Sequence, residues 1–123
     1  MQSKNKKFDK NNDAKKRAYL FGLEIIYFIR SLPKDIATQI IARQLIRSAT
    51  SLRANIIEAQ ASSSRKDFKN FLNHALKSAN ETKFWLCLIK DSVKSKKEKT
   101  IKLLDEANQL SNILGKSIIT LKR

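Results

Sequence analysis

The chain reads as all-α, an antiparallel up-down-up-down four-helix bundle, on three observations. Glycine occurs twice and proline once in 123 residues. A β-sandwich or a doubly wound sheet needs turn residues roughly every 8–12 positions, and this composition does not supply them. Apolar residues recur at intervals of three and four through most of the chain, the period of a packed helix. The breaks in that pattern are short, and short connections join antiparallel neighbours. A length of 123 residues is one domain's worth, enough to bury about two thirds of the unfolded surface around one core.

Residues 1–13 are polar and rich in lysine and asparagine, and predict a disordered basic arm. Residues 14–123 form the bundle domain. Asp13 is the expected N-cap of the first helix, whose seam is Ala14, Ala18, Phe21, Ile25, Phe28 and Leu32. Their steps of three and four put them on one stripe. Leu20, Leu23, Ile26, Tyr27 and Ile29 widen the apolar surface beyond that stripe. Gly22 inside the run lowers helix stability and predicts a close helix contact. Ser31-Leu32-Pro33 breaks the helix, and Pro33 suits the first turn of the next.

The second helix is expected from about Pro33 to Ala59, with Ile41, Leu45, Ala49, Leu52, Ile56 and Ala59 as its seam. Ile36, Ile40, Ile46 and Ile57 lie off it. Ser62-Ser63-Ser64 is a connector whose serines are candidate N-caps. The third helix has a heptad of Phe68, Leu72, Ala75, Ala79, Thr82, Leu86 and Ile89, flanked by Phe71, Trp85 and Leu88. Lys90–Lys99 reads as a charged connector. Leu103, Ala107, Leu110, Leu114, Ile118 and Leu121 are the seam of the fourth helix. A monomeric bundle needs one apolar face per helix, and the first three helices carry more. The surplus predicts self-association, against the plainer alternative of a thick core with scattered surface apolars.

Lysine and arginine total 26 against 11 acids, a net charge of +15. The first 17 residues hold seven basic and two acidic groups, and the remaining excess is spread over the domain. Such a field attracts polyanions, chiefly RNA or DNA. A lysine-rich solvated surface is the competing explanation. No apolar run approaches the roughly 18 residues of a membrane span. The opening residues also lack the apolar core of a secretion signal. The expected location is the cytoplasm.

Chemistry-bearing clusters are sparse. His74 and Cys87 stand alone, whereas a zinc site needs three or four such ligands, so neither metal nor cofactor is expected. A single cysteine excludes an internal disulfide. Gly22 and Gly115 are too far apart to form a phosphate loop. Glu58 and Glu81 are the best candidates for acid–base work, but helical carboxylates are usually structural, and no catalytic residue is assigned.

Two polar stripes interrupt the apolar pattern. Arg47, Ser51, Asn55 and Glu58 follow one another at steps of four, four and three, and Ser78, Glu81, Thr82 and Trp85 form the other. Facing stripes can close into a buried network that fixes register, with Arg47 paired to Glu81 or Glu58. A ligand or RNA site on the same residues is the alternative. At the expected start of the third helix, Arg65, Lys66 and Lys69 face only Asp67. The helix dipole prefers acids there, and a bound phosphate would reverse the penalty.

These residues also carry a resemblance. The run Gln44-Leu45-Ile46-Arg47-Ser48-Ala49-Thr50-Ser51-Leu52-Arg53-Ala54-Asn55-Ile56-Ile57-Glu58-Ala59 resembles a signature of the four-helix bundle proteins related to those encoded in 23S rRNA intervening sequences. So do Lys66-Asp67-Phe68, Phe71-Leu72, Ala75-Leu76-Lys77-Ser78-Ala79-Asn80-Glu81-Thr82 and Trp85-Leu86, together with the Leu32-Pro33 break. The similarity covers about residues 21–119. It implies a closed antiparallel bundle assembling into a ring-like homopentamer. Relatives include the accessory variability proteins of diversity-generating retroelements, basic pentameric barrels that bind RNA and a reverse transcriptase. The chain departs from many relatives at Ala59-Gln60, where glycine often follows the glutamate, which implies a longer second helix or a different turn. The resulting expectation is a non-catalytic RNA-binding homo-oligomer. Arg43, Arg53, Arg65, Lys66 and Lys69 are assigned to phosphate, and Arg47, Ser51, Asn55, Glu58 and Glu81 to a structural polar network. A protein-interaction scaffold is the alternative.

Overall fold

The computed structural model describes residues 2–122, with side chains over residues 14–120. Four helices follow one another: α1 (Gln2–Arg30), α2 (Ile36–Ala61), α3 (Arg65–Ser92) and α4 (Lys97–Lys122), with a 3-10 turn at Lys94–Lys96 before the last. No strand occurs among the described residues. α1 begins at Gln2, so Asp13 lies inside the helix and is not its N-cap; the side chains of the expected basic arm lie outside the described residues.

Side-chain caps close the turns without left-handed backbone. Asp35 and Ser64 are extended N-caps, and Ser62 is an extended C-cap. No described residue has a positive φ, which is how a chain with two glycines closes three connections. The Asp35 carboxylate accepts the Thr38 amide at 3.1 Å, so α2 begins at Ile36. Pro33 therefore lies in the connector rather than in the first turn of α2 as expected, where its carbonyl accepts the Gln39 side chain at 2.8 Å. Ser64 accepts the Asp67 amide at 3.1 Å and starts α3. At its other end α2 runs past Ala59 to Ala61, the longer form of the two that the missing glycine implies.

The Asp35 cap has a pH signature. The Thr38 amide, and secondarily the Thr38 side chain, hold the Asp35 carboxyl below its ordinary value of 3.8. A depressed folded value stabilises the protein above the unfolded value and ceases to do so as pH falls through the folded one. Asp35→Ala should melt below the parent at pH 7. That gap should narrow below about pH 4 and close at lower pH, as thermal unfolding by circular dichroism would read.

The last connection is shorter than the charged stretch suggests. The expected Lys90–Lys99 connector shrinks to Val93–Lys96, because Val93 is buried and Thr100 is fully buried. The Thr100 hydroxyl donates to the Lys96 carbonyl at 2.6 Å. Lysines on either side simply project from helix ends.

Cross-helix pairs fix the topology. Ser48 meets Thr82 and Ser51 meets Ser78, so α2 and α3 run antiparallel. Lys83 reaches Ser111, Arg53 covers Tyr19 and Arg17 grips Glu106, which sets α3–α4, α1–α2 and α1–α4 in turn. The seam from Ala14 to Phe28 on α1 is buried, as its spacing predicts, as are Leu32 just past the helix end and Leu103, Ala107, Leu110, Leu114 and Ile118 of α4. Leu121 lies outside the described side chains. On α3 the heptad is buried from Leu72 to Ile89, and Phe68 packs at its rim. On α2 the buried stripe starts at Thr38 and Ala42. Ile41 is only partly buried at its edge, because the small Ala42 faces the core centre.

The surplus apolar residues stay outside. Ile36 is 80% exposed, and Tyr19, Leu20, Tyr27, Ile40, Phe84 and Ile101 are each close to half exposed. Gly22 makes no close helix contact within the chain: a Cβ there would meet nothing within 4 Å.

Candidate nucleic-acid interface

The basic residues assigned to phosphate do not form a pocket. Arg43 projects from the exposed face of α2. Arg53 lies ten residues on, about 15 Å along the axis and about 80° around it, and is only partly exposed. Its guanidinium stacks over the Tyr19 ring, 4.8 Å from the centroid. Arg65 and Lys66 are exposed in the first turn of α3, with Lys69 half-buried one turn further. Arg43 and the α3 cluster therefore stand about 27 Å apart along α2 by helix rise. That spacing suits an extended polyanion contacted at several points, not a small ligand.

The charge on this surface is largely uncompensated. Ion pairs among the described residues join Arg17 to Glu106, Arg47 to Glu81 and Lys90 to Asp91. Lys66, Lys69 and Arg43 take no part in them. At the N-terminus of α3 the unpaired lysines add to the partial positive charge of the helix end.

The two polar stripes meet between α2 and α3. Glu81 accepts Arg47 and, at 3.0 Å, the Trp85 indole N–H. Arg47 also donates to Gln44 at 2.9 Å. Ser51 and Ser78 are 3.0 Å apart, and the Asn55 amide donates to the Ser51 carbonyl at 2.9 Å. Thr82 Oγ1 lies 2.9 Å from Ser48 Oγ and 2.7 Å from the Ser78 carbonyl, and Ser48 donates to the Leu45 carbonyl at 3.1 Å. Every buried hydroxyl of the seam thus has a partner, as burial requires. Glu58 stands apart. It is exposed, and the register places it about 15 Å along the bundle from Glu81. Arg47 therefore pairs with Glu81 and not with Glu58.

Glu58 and Glu81, weighed for acid–base work, do not converge at that separation, and the two residues weighed as metal ligands lie elsewhere. His74 is exposed, with its ring tilted 6.5 Å from that of Phe71. Cys87 is half-buried. No group of three or more His, Cys, Asp or Glu side chains that could hold a metal ion occurs among the described residues. Among the described residues, no helix is long and apolar enough to cross a membrane. A groove of about 640 Å³ opens between α1 and α4, with Arg17 and Glu24 on the α1 side and Glu98, Lys99, Lys102 and Glu106 on the α4 side. Its charges are of both signs.

Two features escape a search by motif. Arg17 forks onto Glu106 at 2.7 and 3.1 Å and reaches Gln109 at 2.7 Å, joining α1 to α4. Both ends sit one residue beside a buried seam alanine, Ala18 and Ala107, which is the pattern that could have found them. The Arg53–Tyr19 stack has no motif at all and follows only from the α1–α2 register.

Fold and surface together define a class: a basic antiparallel helical bundle with a satisfied polar seam between α2 and α3. The model of the 23S rRNA-intervening sequence protein family matches residues 10–116, and the chain belongs to that family. It is similar to a crystal structure from Bacteroides thetaiotaomicron, described as a protein with unknown function from the S23 ribosomal protein family. The two share 32% identity and a TM-score of 0.81, over 93% of this chain and 99% of that one. No curated protein matches the chain.

Proposed function

We propose that the protein is a non-catalytic, self-assembling bundle that binds structured RNA through a repeated basic surface in the cytoplasm. The observation that carries this reading is the uncompensated charge at the start of α3, where Lys66 and Lys69 reinforce the helix end with no ion-pair partner among the described residues. Arg43 extends the surface along α2. The family takes its name from intervening sequences of 23S rRNA, which makes structured RNA the polyanion to test. The exposed apolar residues of α1, α2 and α3 support self-association, and the family resemblance gives a homopentameric ring as the expected form. Assembly would multiply affinity, because several weak basic sites held on one ring act on one polyanion.

The same exposed apolar surface also fits a scaffold that binds another protein without nucleic acid. Salt separates the two readings. Phosphate binding releases counterions and weakens linearly in log salt, whereas an apolar protein interface does not. The test is a titration of a fluorescein-labelled RNA stem-loop with the full chain across a range of salt concentrations.

A further inference from the structure

Two exposed features of this chain complement each other. The first is an apolar groove of about 300 Å³ between α1 and α2. Gly22 and Ala54 keep it open, and Leu23, Ile26 and Ile57 wall it. No acidic residue lines it. Arg53 forms its edge, and the Arg53 Nε is buried without a hydrogen-bond partner. A guanidinium carries five donors and no acceptor, and the stack on Tyr19 satisfies none of them. The groove therefore calls for an apolar insert with a carboxylate beside it.

The second feature is a stripe on α3. Phe84, Leu88 and Asp91 follow at steps of four and three, so they share one face of the helix. Phe84 is 54% exposed and Leu88 37%. The Asp91 side chain is 77% exposed, and its ion pair is a 3.9 Å contact with the adjacent Lys90. An apolar cavity of about 150 Å³ takes a benzene ring, so the groove has room for the Phe84 ring and the Leu88 side chain together.

We infer that the α1–α2 groove of one copy seats the Phe84–Leu88–Asp91 stripe of a second copy, with the Asp91 carboxylate on the Arg53 guanidinium. The inference rests on the self-association proposed above and names the surfaces that carry it. The groove and the stripe are different surfaces of the same chain, so the contact is heterologous and runs head to tail. Such contacts close into rings when the rotation permits, and do not stop at a two-fold dimer. The assignment takes Arg53 out of the phosphate-binding set, since its guanidinium holds the Asp91 carboxylate of the neighbouring copy instead. Arg43, Lys66 and Lys69 remain outside the contact.

Light scattering of the nuclease-treated full chain after size exclusion tests it, with circular dichroism of each variant confirming the helices. Wild type should be a multimer. Arg53→Asp and Asp91→Arg should each weaken assembly at least tenfold, and the double variant, which swaps the charges, should restore it. Gly22→Leu fills the groove at a helical position where a side chain meets nothing and where leucine favours the helix more than glycine. It should yield a folded monomer. A wild-type monomer would sink the self-association reading and this inference together, leaving the groove to a foreign acidic partner. A wild-type multimer whose mass survives Gly22→Leu or the single reversals would overturn this inference alone. Loss of assembly without rescue in the double variant would overturn the Arg53–Asp91 pairing.

Discussion

Phe28→Ala should cost the protein about 3–5 kcal/mol, the range for truncating a fully buried phenylalanine. Phe28 has no exposed surface and belongs to the central cluster with Ile25, Leu32, Leu45 and Ile89. The loss combines the transfer of the ring with the cavity that the surrounding core cannot fully collapse to fill. Small domains hold only about 5–15 kcal/mol in total, so the change removes a large share of the stability. Urea unfolding should show a much lower midpoint with an unchanged m-value. Ile101→Ala is the contrast, because a half-exposed side chain outside the proposed contact has less surface to lose and no cavity to leave. Its cost to the fold should be under about 1 kcal/mol. Equal losses at the two positions would contradict the placement of α1 in the core.

Reversing Arg65, Lys66 and Lys69 to glutamate should weaken RNA binding by about a hundredfold or more at low salt, at roughly 1.4 kcal/mol per factor of ten. The slope of log affinity against log salt should flatten by about 0.7–0.9 for each phosphate that the variant no longer neutralises. The helix dipole makes this variant informative. Arg65→Glu and Lys66→Glu put acids in the first turn of α3 in place of bases that the dipole disfavours, and each such acid stabilises a helix by about 0.3–1 kcal/mol. Circular dichroism should show the helicity of the parent, so that weaker binding reports on the surface and not on the fold. Unchanged affinity would remove the α3 start from the interface and leave Arg43 as the remaining assigned contact.

Periodicity makes the core legible. The seam of α1 can be read from Ala14 to Leu32 without any structure, because a helix buries residues three and four apart and little else competes for that face. The α2–α3 polar seam is legible for the same reason, since Arg47, Ser51 and Asn55 fall on one stripe opposite Ser78 and Glu81. Ends are harder. Pro33 looks like a first helical residue, but Asp35 supplies the carboxylate that satisfies the Thr38 amide, and the side-chain cap decides where α2 begins. The charge of Lys90–Lys99 suggests a long connector, yet Val93 is buried within it and Thr100 directly after it, and two such anchors outweigh the lysines around them.

Pairs distant in sequence are harder still. Arg17 and Glu106 meet across α1 and α4, and Arg53 finds Tyr19 across α1 and α2. Neither follows from local spacing, because each depends on the register between helices. Gly22 is conspicuous in the sequence, but not for the close contact within the chain that its position suggests. The space beside it is open, and it forms part of the groove between α1 and α2.

The proposal of an RNA-binding bundle stands or falls most directly on the salt dependence of the wild-type protein. Titration of the labelled stem-loop should give an affinity that falls linearly in log salt. With four or more phosphate contacts the slope should be about −3 or steeper. Binding that is absent at low salt, or that does not change as salt rises, would contradict the RNA-binding account and leave the bundle as a protein-interaction scaffold.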